Sequence, residues 1–395
     1  MPVPQNGKFV RVESTSVLTP AEIVAEVIKK APTASAYQSA LTGLVPSDIV
    51  LNRVLYTTYD PTGALVEASG IIAWPANITE VSGIVSVQHG TCDIDNPPSR
   101  QKFSAELIPV IRTVPGKPNA GDVVIMADYL GYGASRTDDL QHPYMHADFT
   151  GSACADLFVA ANDFLGAKAD SLGFDVTDKN VTLIGYSQGG QASMATYIEL
   201  VRRGYEDRIA KVLAGGGPYD LAAFFTTFAA SDELFYSRSG YVPYVIRGLA
   251  WGDQLSIDPA NVYAPEVISS GMVDKFSTTM LSSWHHLLGG DVNKVLNADF
   301  FAPAPSYNGN KDVVAVMESL ASNSLVNRKV GHPEKVTLFH SKTDEQVPYS
   351  CSVNAGAKWG CEVFDLETQN NHTKAGDEFY LRYLDYWNLF KMFLN

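Results

Sequence analysis

The chain has 395 residues, 46% of them apolar and only 18% charged, a balance that excludes disorder and supports a large buried core. A formal net charge of −14, with no basic run, argues against nucleic acid as a partner. No stretch of about 18 consecutive apolar residues occurs, so no transmembrane helix is expected.

The opening residues, MPVPQNGKFVRVESTS, lack the charged-then-apolar layout of a signal peptide. Either the chain is cytoplasmic or an export signal has been removed. Residues 20–41 predict a helix ending near Gly43. Asn52–Thr58 and Ala68–Trp74 are β-rich runs around the turn signal Asp60-Pro61-Thr62-Gly63, which predicts an antiparallel hairpin at one edge of a sheet. Gly83–Gln88 and Asp122–Ala127 are short apolar runs of the buried, parallel-sheet kind. Residues 152–168 predict an amphipathic helix. Val181–Ile184 predicts a strand, followed by a helix from Gln188 to about Arg203, and Lys211–Ala214 starts another strand.

The alternation then stops. Residues 220–330 carry aromatic helical patches and loops rich in Pro and Gly. It resumes with strands Lys335–His340 and Cys361–Leu366 and a closing helix from about Lys374 to Phe393. Strand–helix alternation on both sides of a different middle segment predicts one α/β domain, residues 1–219 and 331–395, with a mostly parallel sheet and a helical insertion at 220–330.

The strongest chemical signal is Gly185-Tyr186-Ser187-Gln188-Gly189, between a predicted strand and a predicted helix. A serine on such a turn is forced into unfavourable backbone angles and pushed into the open at a helix N-terminus, while the glycines let strand and helix approach. Ser187 is therefore the candidate nucleophile. A serine hydroxyl needs a base to take its proton, and in this arrangement an acid and then a histidine follow in the chain. Asp344, in the loop after Lys335–His340, is the candidate acid. It is favoured over Glu345 by its spacing to Val347-Pro348. His372, after Cys361–Leu366 and before the closing helix, is the candidate base, because an imidazole titrates near working pH. His340 competes but lies inside a strand run, and His285 and His286 lie in the insertion. His142 and His146 stand at i, i+4, but Pro143 separates them and no third ligand is evident. No metal or other cofactor is expected.

Acyl transfer puts negative charge on the substrate carbonyl oxygen, which two backbone N–H groups normally meet. One belongs to the residue after the nucleophile, Gln188. The other is expected in His89-Gly90-Thr91, after strand Gly83–Gln88, with Thr91 preferred to Cys92. His89 reads as a residue that braces this loop. Cys92, Cys154, Cys351 and Cys361 allow either two disulfides or four thiols, and Cys351 and Cys361 are close enough in sequence to pair.

His89-Gly90-Thr91 leading to Pro97-Pro98-Ser99, Asp128-Tyr129-Leu130-Gly131-Tyr132-Gly133, His142-Pro143-Tyr144, Gly185-Tyr186-Ser187-Gln188-Gly189-Gly190, the Asp344 loop and His372 occur in that order. Together they resemble the secretory lipase family of α/β-hydrolases, the branch related to lipase A. The resemblance covers about residues 50–220 and 335–395. It implies an α/β-hydrolase fold with a helical cap over residues 220–330, and Ser187, Asp344 and His372 as a catalytic triad. It also implies disulfides, cofactor-free cleavage of small, lipid or sugar esters, and a secreted, periplasmic or envelope-attached enzyme. Cys92-Asp93-Ile94-Asp95-Asn96 is more acidic than the family pattern. In the cap, Phe224, Phe225, Phe228, Phe235, Tyr236, Tyr241, Tyr244 and Trp251 either line an acyl pocket or form the cap's own core. The same triad would serve an esterase acting on carbohydrate acyl groups or a peptidase. A hydrolase-fold protein that only binds is the alternative from another class.

Overall fold

The computed structural model describes residues 5–30, 35, 38–137, 141–230, 236–271, 273 and 281–388. Nine strands form one sheet: β1 (Phe9–Leu18), β2 (Ile49–Tyr59), β3 (Leu65–Pro75), β4 (Glu80–Gln88), β5 (Ala120–Ala127), β6 (Val181–Tyr186), β7 (Ile209–Gly215), β8 (Val336–Ser341) and β9 (Glu362–Leu366), in the order β1-β2-β3-β5-β4-β6-β7-β8-β9. β1 to β3 and the β3–β5 pair are antiparallel, and the pairs from β5 through β9 are parallel.

The expected hairpin is β2–β3, with Asn52 opposite Ile72. The Asp60 carboxylate fixes its turn by accepting from the Thr62 and Ala64 amides, both at 2.9 Å. It is not at the sheet edge, however: β1, which the sequence reading missed, pairs outside it. β1 mixes exposed and half-buried residues and contains Arg11, Glu13 and three hydroxyl side chains, so it lacks the apolar run that marks the inner strands. All eight residues of β5 are buried, as its central place requires. Of the expected helix over 20–41, the described residues show Pro20–Lys30 and Gln38–Leu44 as helical.

Side chains alternate across the sheet. Ile84, Ile125 and Leu183 pack beneath helices Ala147–Gly166 and Gln188–Arg202. Val85, Val87, Val124, Met126 and Ile184 pack on the opposite face with Phe379 of the closing helix and Leu107. Each such residue contributes roughly 1.5–3 kcal/mol on burial. Between β7 and β8 the chain forms helices that include Leu221–Ala230, Tyr241–Gly252 and Lys311–Asn323, whose apolar side chains make a core of their own.

The chain leaves β4 for β5 on one side and reaches β6 on the other, so β4 stands at the point where the order of connection reverses. In such sheets, ligands bind outside the carboxyl ends of the strands at that point. Gln88 pairs with Gly185, so the loop after β4 and the turn after β6 start side by side.

No disulfide joins the four cysteines, a correction to the expected disulfides. Cys351 lies in the first turn of the Ser350–Trp359 helix and Cys361 follows its C-cap Gly360, so the two sit at opposite ends of that helix. Cys351 is buried in the core of the insertion and Cys361 packs against the core of the sheet.

Candidate active site

Ser187 follows β6 with φ 61° and ψ −123°, a region that non-glycine residues occupy only when their surroundings hold them there. Its N–H donates to the Gly215 carbonyl of β7 at 2.8 Å, and its own carbonyl accepts from Gly190 at 2.9 Å. The approach is close: a Cβ on Gly189 would sit 2.0 Å from the Gln88 carbonyl oxygen. Helix Gln188–Arg202 begins immediately, and the Ser187 side chain makes no capping bond to it. The hydroxyl is therefore not engaged by the helix, on a half-exposed residue.

Asp344 and His372 meet directly. His372 Nδ1 lies 2.6 Å from Asp344 Oδ2. A carboxylate only accepts, so Nδ1 carries the proton and Nε2 the lone pair. Nε2 is buried and has no hydrogen-bond partner among the described residues. The ring packs 5.0 Å from that of Tyr186, the residue before Ser187. The spacing predicts His372 in a loop ahead of the closing helix. Instead it opens that helix, His372–Tyr383, with Asn371 accepting from Lys374 as the N-cap, a place asparagine favours.

Burial alone would raise the Asp344 pKa. Hydrogen bonds from His340 and His372 outweigh it and hold the carboxyl well below its usual range. Oδ1 accepts from the Gln346 and Val347 amides at 2.8 and 2.9 Å. Both oxygens are thus engaged, with Oδ2 also 3.4 Å from Nε2 of buried His340. His340 Nδ1 is 2.7 Å from the Ser352 hydroxyl and Nε2 is 3.0 Å from the Val347 carbonyl, so this imidazole orients its Nε2–H toward the acid loop. Its placement four residues before Asp344 was the available signal. Glu345, the rejected alternative, accepts from the His372 backbone N–H at 2.8 Å. It holds His372 by its backbone and does not touch the ring.

The loop after β4 is braced from β5. Tyr129 donates to the His89 carbonyl at 2.9 Å and its ring stacks on His89 at 4.0 Å. Burial pushes the His89 pKa down to about 4, so it is a neutral bracing group. The Gly90 N–H donates to Glu106 at 2.8 Å, a contact that no local spacing signals. An ideal Cβ on Gly90 would be 3.9 Å from the Ser187 Cβ, which puts this loop against the Ser187 turn. Thr91 follows, half-buried, its Oγ1 2.7 Å from the Tyr144 hydroxyl. Gln188 is buried, with its side-chain amide 2.9 Å from His142 Nε2.

Asp128 anchors the same region by accepting from the Ser69 hydroxyl at 2.7 Å and the Ser99 amide at 2.9 Å. Burial pushes its pKa up to about 6 against these bonds, whereas an unfolded aspartate titrates near about 3.9. Between those values the folded state binds more protons, so stability falls as pH rises from about 4 to 6 and levels off above. Asp128→Asn is expected to flatten the pH dependence of the urea midpoint over that interval. Asp156, also pushed up to about 6 by burial, retains part of the slope in the variant. An unchanged slope would contradict the assignment.

No protein-family model matches the sequence, and no curated relative does. Solved structures match over nearly the whole chain. A protein assigned as a hydrolase from Legionella pneumophila is 23% identical, with TM-score 0.72, covering 97% of this chain and 98% of its own. The rice cell wall degrading esterase LipA from Xanthomonas oryzae is 20% identical, with TM-score 0.69 and 98% of each chain covered. Candida antarctica lipase A is 14% identical, with TM-score 0.59, covering 92% of this chain and 78% of its own. The protein has the α/β-hydrolase fold.

At the level of fold, the resemblance to the lipase A-like branch of α/β-hydrolases is borne out by these neighbours. Within this α/β-hydrolase fold, Phe224, Phe225, Tyr236 and Tyr244 are buried in the core of the insertion and Tyr241 packs against it. Phe235 and the side chain of Phe228 lie outside the described residues. Trp251 lines a cleft of about 460 Å³ with Gln141, Arg247 and Tyr263. Ser187, Asp344 and His372 are not among the residues lining it. His146 caps helix Ala147–Gly166 and lies 3.1 Å from Asp253, while His142 contacts Leu130 and Gln188. The two histidines thus serve separate networks. No helix among the described residues is long and apolar enough to cross a membrane.

Proposed function

We propose that the protein is a serine carboxylic ester hydrolase. The observation that carries this reading is the 2.6 Å contact between His372 and Asp344 at the rim of the sheet that holds the strained Ser187 turn. Ser187 Oγ attacks the ester carbonyl carbon while His372 Nε2 takes its proton. The C–O bond to the alcohol then breaks, His372 returns the proton to the leaving oxygen, and an acyl-serine remains. Water adds to it by the same route in reverse and frees the acid and the serine. Asp344 keeps the proton on Nδ1 and stabilises the imidazolium. The backbone N–H groups of Gln188 and Thr91 receive the charge on the carbonyl oxygen. Residues 220–330 act as a cap between the two core segments, 1–219 and 331–395, and set access for the substrate. We place the enzyme among exported hydrolases.

A carbohydrate acyl esterase is the second reading, favoured by the cell wall degrading esterase among the structural neighbours. A panel of 4-nitrophenyl esters from acetate to palmitate, acetylated and feruloylated sugars and a peptide anilide tests both. Hydrolysis of simple esters with the anilide untouched is the expected result. Faster turnover of sugar esters would select the second reading, and no ester hydrolysis at all would refute the first.

A further inference from the structure

The segment His142-Pro143-Tyr144 has no role in the mechanism above, yet it touches both residues assigned to the oxyanion hole. We propose that it is a single brace that positions both oxyanion donors, His142 through the side chain of Gln188 and Tyr144 through the hydroxyl of Thr91. The inference rests on the assignment of Gln188 and Thr91 made above and deepens it.

The His142 contact has a defined polarity. Nδ1 is 2.7 Å from the Leu130 carbonyl oxygen. A carbonyl only accepts, so the proton is on Nδ1 and the Nε2 lone pair accepts from the Gln188 amide at 2.9 Å. Burial pushes the His142 pKa down to about 3, so the acceptor persists at any pH at which the triad works. Gln188 is the first residue of the helix after the nucleophile. Pinning its side chain resists rotation of that first turn, and with it the direction of its N–H.

Thr91 lies outside regular secondary structure, so its N–H direction depends on tertiary contacts. Its hydroxyl is 2.7 Å from that of Tyr144, whose ring stacks on Tyr244 of helix Tyr241–Gly252 with centroids 3.9 Å apart and planes 7° apart. The link between the two braces is short and stiff. Tyr144 N–H donates to the His142 carbonyl at 2.8 Å, a three-residue turn around Pro143, whose ring fixes φ. The insertion presses against this turn: a Cβ on Gly248 would lie 2.4 Å from the Tyr144 nitrogen. His142 is held edge-on by Tyr132 at 4.6 Å.

Tyr144→Phe removes only the hydroxyl and keeps the stack, and Thr91→Val removes the other partner at nearly constant shape. Each variant is expected to lower kcat on 4-nitrophenyl butyrate about tenfold, with KM within about twofold and the thermal midpoint nearly unchanged. The double variant should be no slower than the slower single, since both changes break one contact. Wild-type kcat in Tyr144→Phe would overturn the brace, as would losses that multiply in the double variant. If Tyr144→Phe does not fold, Thr91→Val alone decides, and wild-type kcat in it overturns the proposal. Absence of Ser187-dependent hydrolysis in the wild-type protein would instead refute the underlying ester hydrolase assignment.

Discussion

Ser187→Ala is expected to lower kcat for a 4-nitrophenyl ester by about 10⁴-fold or more while leaving the thermal midpoint nearly unchanged. The two halves of this result have different physical origins. The loss is expected because the substitution removes the atom proposed to form the acyl bond; what remains would come from binding and the proposed oxyanion donors. The retained stability follows from what the hydroxyl does not do. It makes no capping bond to helix Gln188–Arg202, and the turn is secured by backbone contacts to Gly215 and Gly190 that alanine keeps. The strain at φ 61° belongs to any residue with a Cβ and is the same in both proteins. A kcat within tenfold of wild type, measured beside a thermal melt, would remove Ser187 from the chemistry.

Asp344→Asn should cost about 10⁴-fold in kcat at pH 7, with a lower urea midpoint from the lost charged hydrogen bonds but the fold retained. The substitution is nearly isosteric, and the side-chain carbonyl can still accept from the Gln346 and Val347 amides, which hold the acid loop. What changes is the other terminus. An NH₂ there meets His372 Nδ1, which in the native protein carries the hydrogen, and is near His340 Nε2 as well. Donor facing donor is relieved by moving the His372 proton to Nε2, the atom that must accept from serine. The base is then present in the wrong tautomer. Steady-state kinetics beside a urea titration separate the two effects. A large fall in the urea midpoint with kcat intact would show that Asp344 serves the loop and not the imidazole.

Asp344 also ties stability to pH with the opposite sign from Asp128. Its folded pKa lies below the unfolded value, so its stabilisation is full above about pH 4 and is lost as pH falls toward the folded pKa. Stability on the acid side therefore combines a gain as Asp128 takes up its proton with a loss as Asp344 does.

The inner strands were legible because burial on both faces leaves continuous apolar runs, as in Val123–Met126, and the Ser187 turn because its glycines are sterically required. β1 escaped because an edge strand with one solvent face can be polar. The start of the closing helix was misjudged by two residues because the signal, Asn371 as N-cap, also reads as an ordinary loop residue. The neighbours of the candidate triad were the least legible. Glu345 and Glu106 reach their partners through tertiary contacts, and nothing in local spacing sets them apart from structural residues, whereas His340 had only its place four residues before Asp344 to mark it. The His142-Pro143-Tyr144 segment was visible as a motif, but its contacts to Gln188 and Thr91 cross the fold and appear only in three dimensions.

The most direct test of the triad is covalent. Treating the native protein with a 4-nitrophenyl alkylphosphonate, followed by intact-mass and peptide mass spectrometry, should give one stoichiometric adduct on Ser187, formed much more slowly in His372→Ala. An adduct on another residue, no adduct, or equal rates with and without His372 would contradict a serine nucleophile driven by that imidazole.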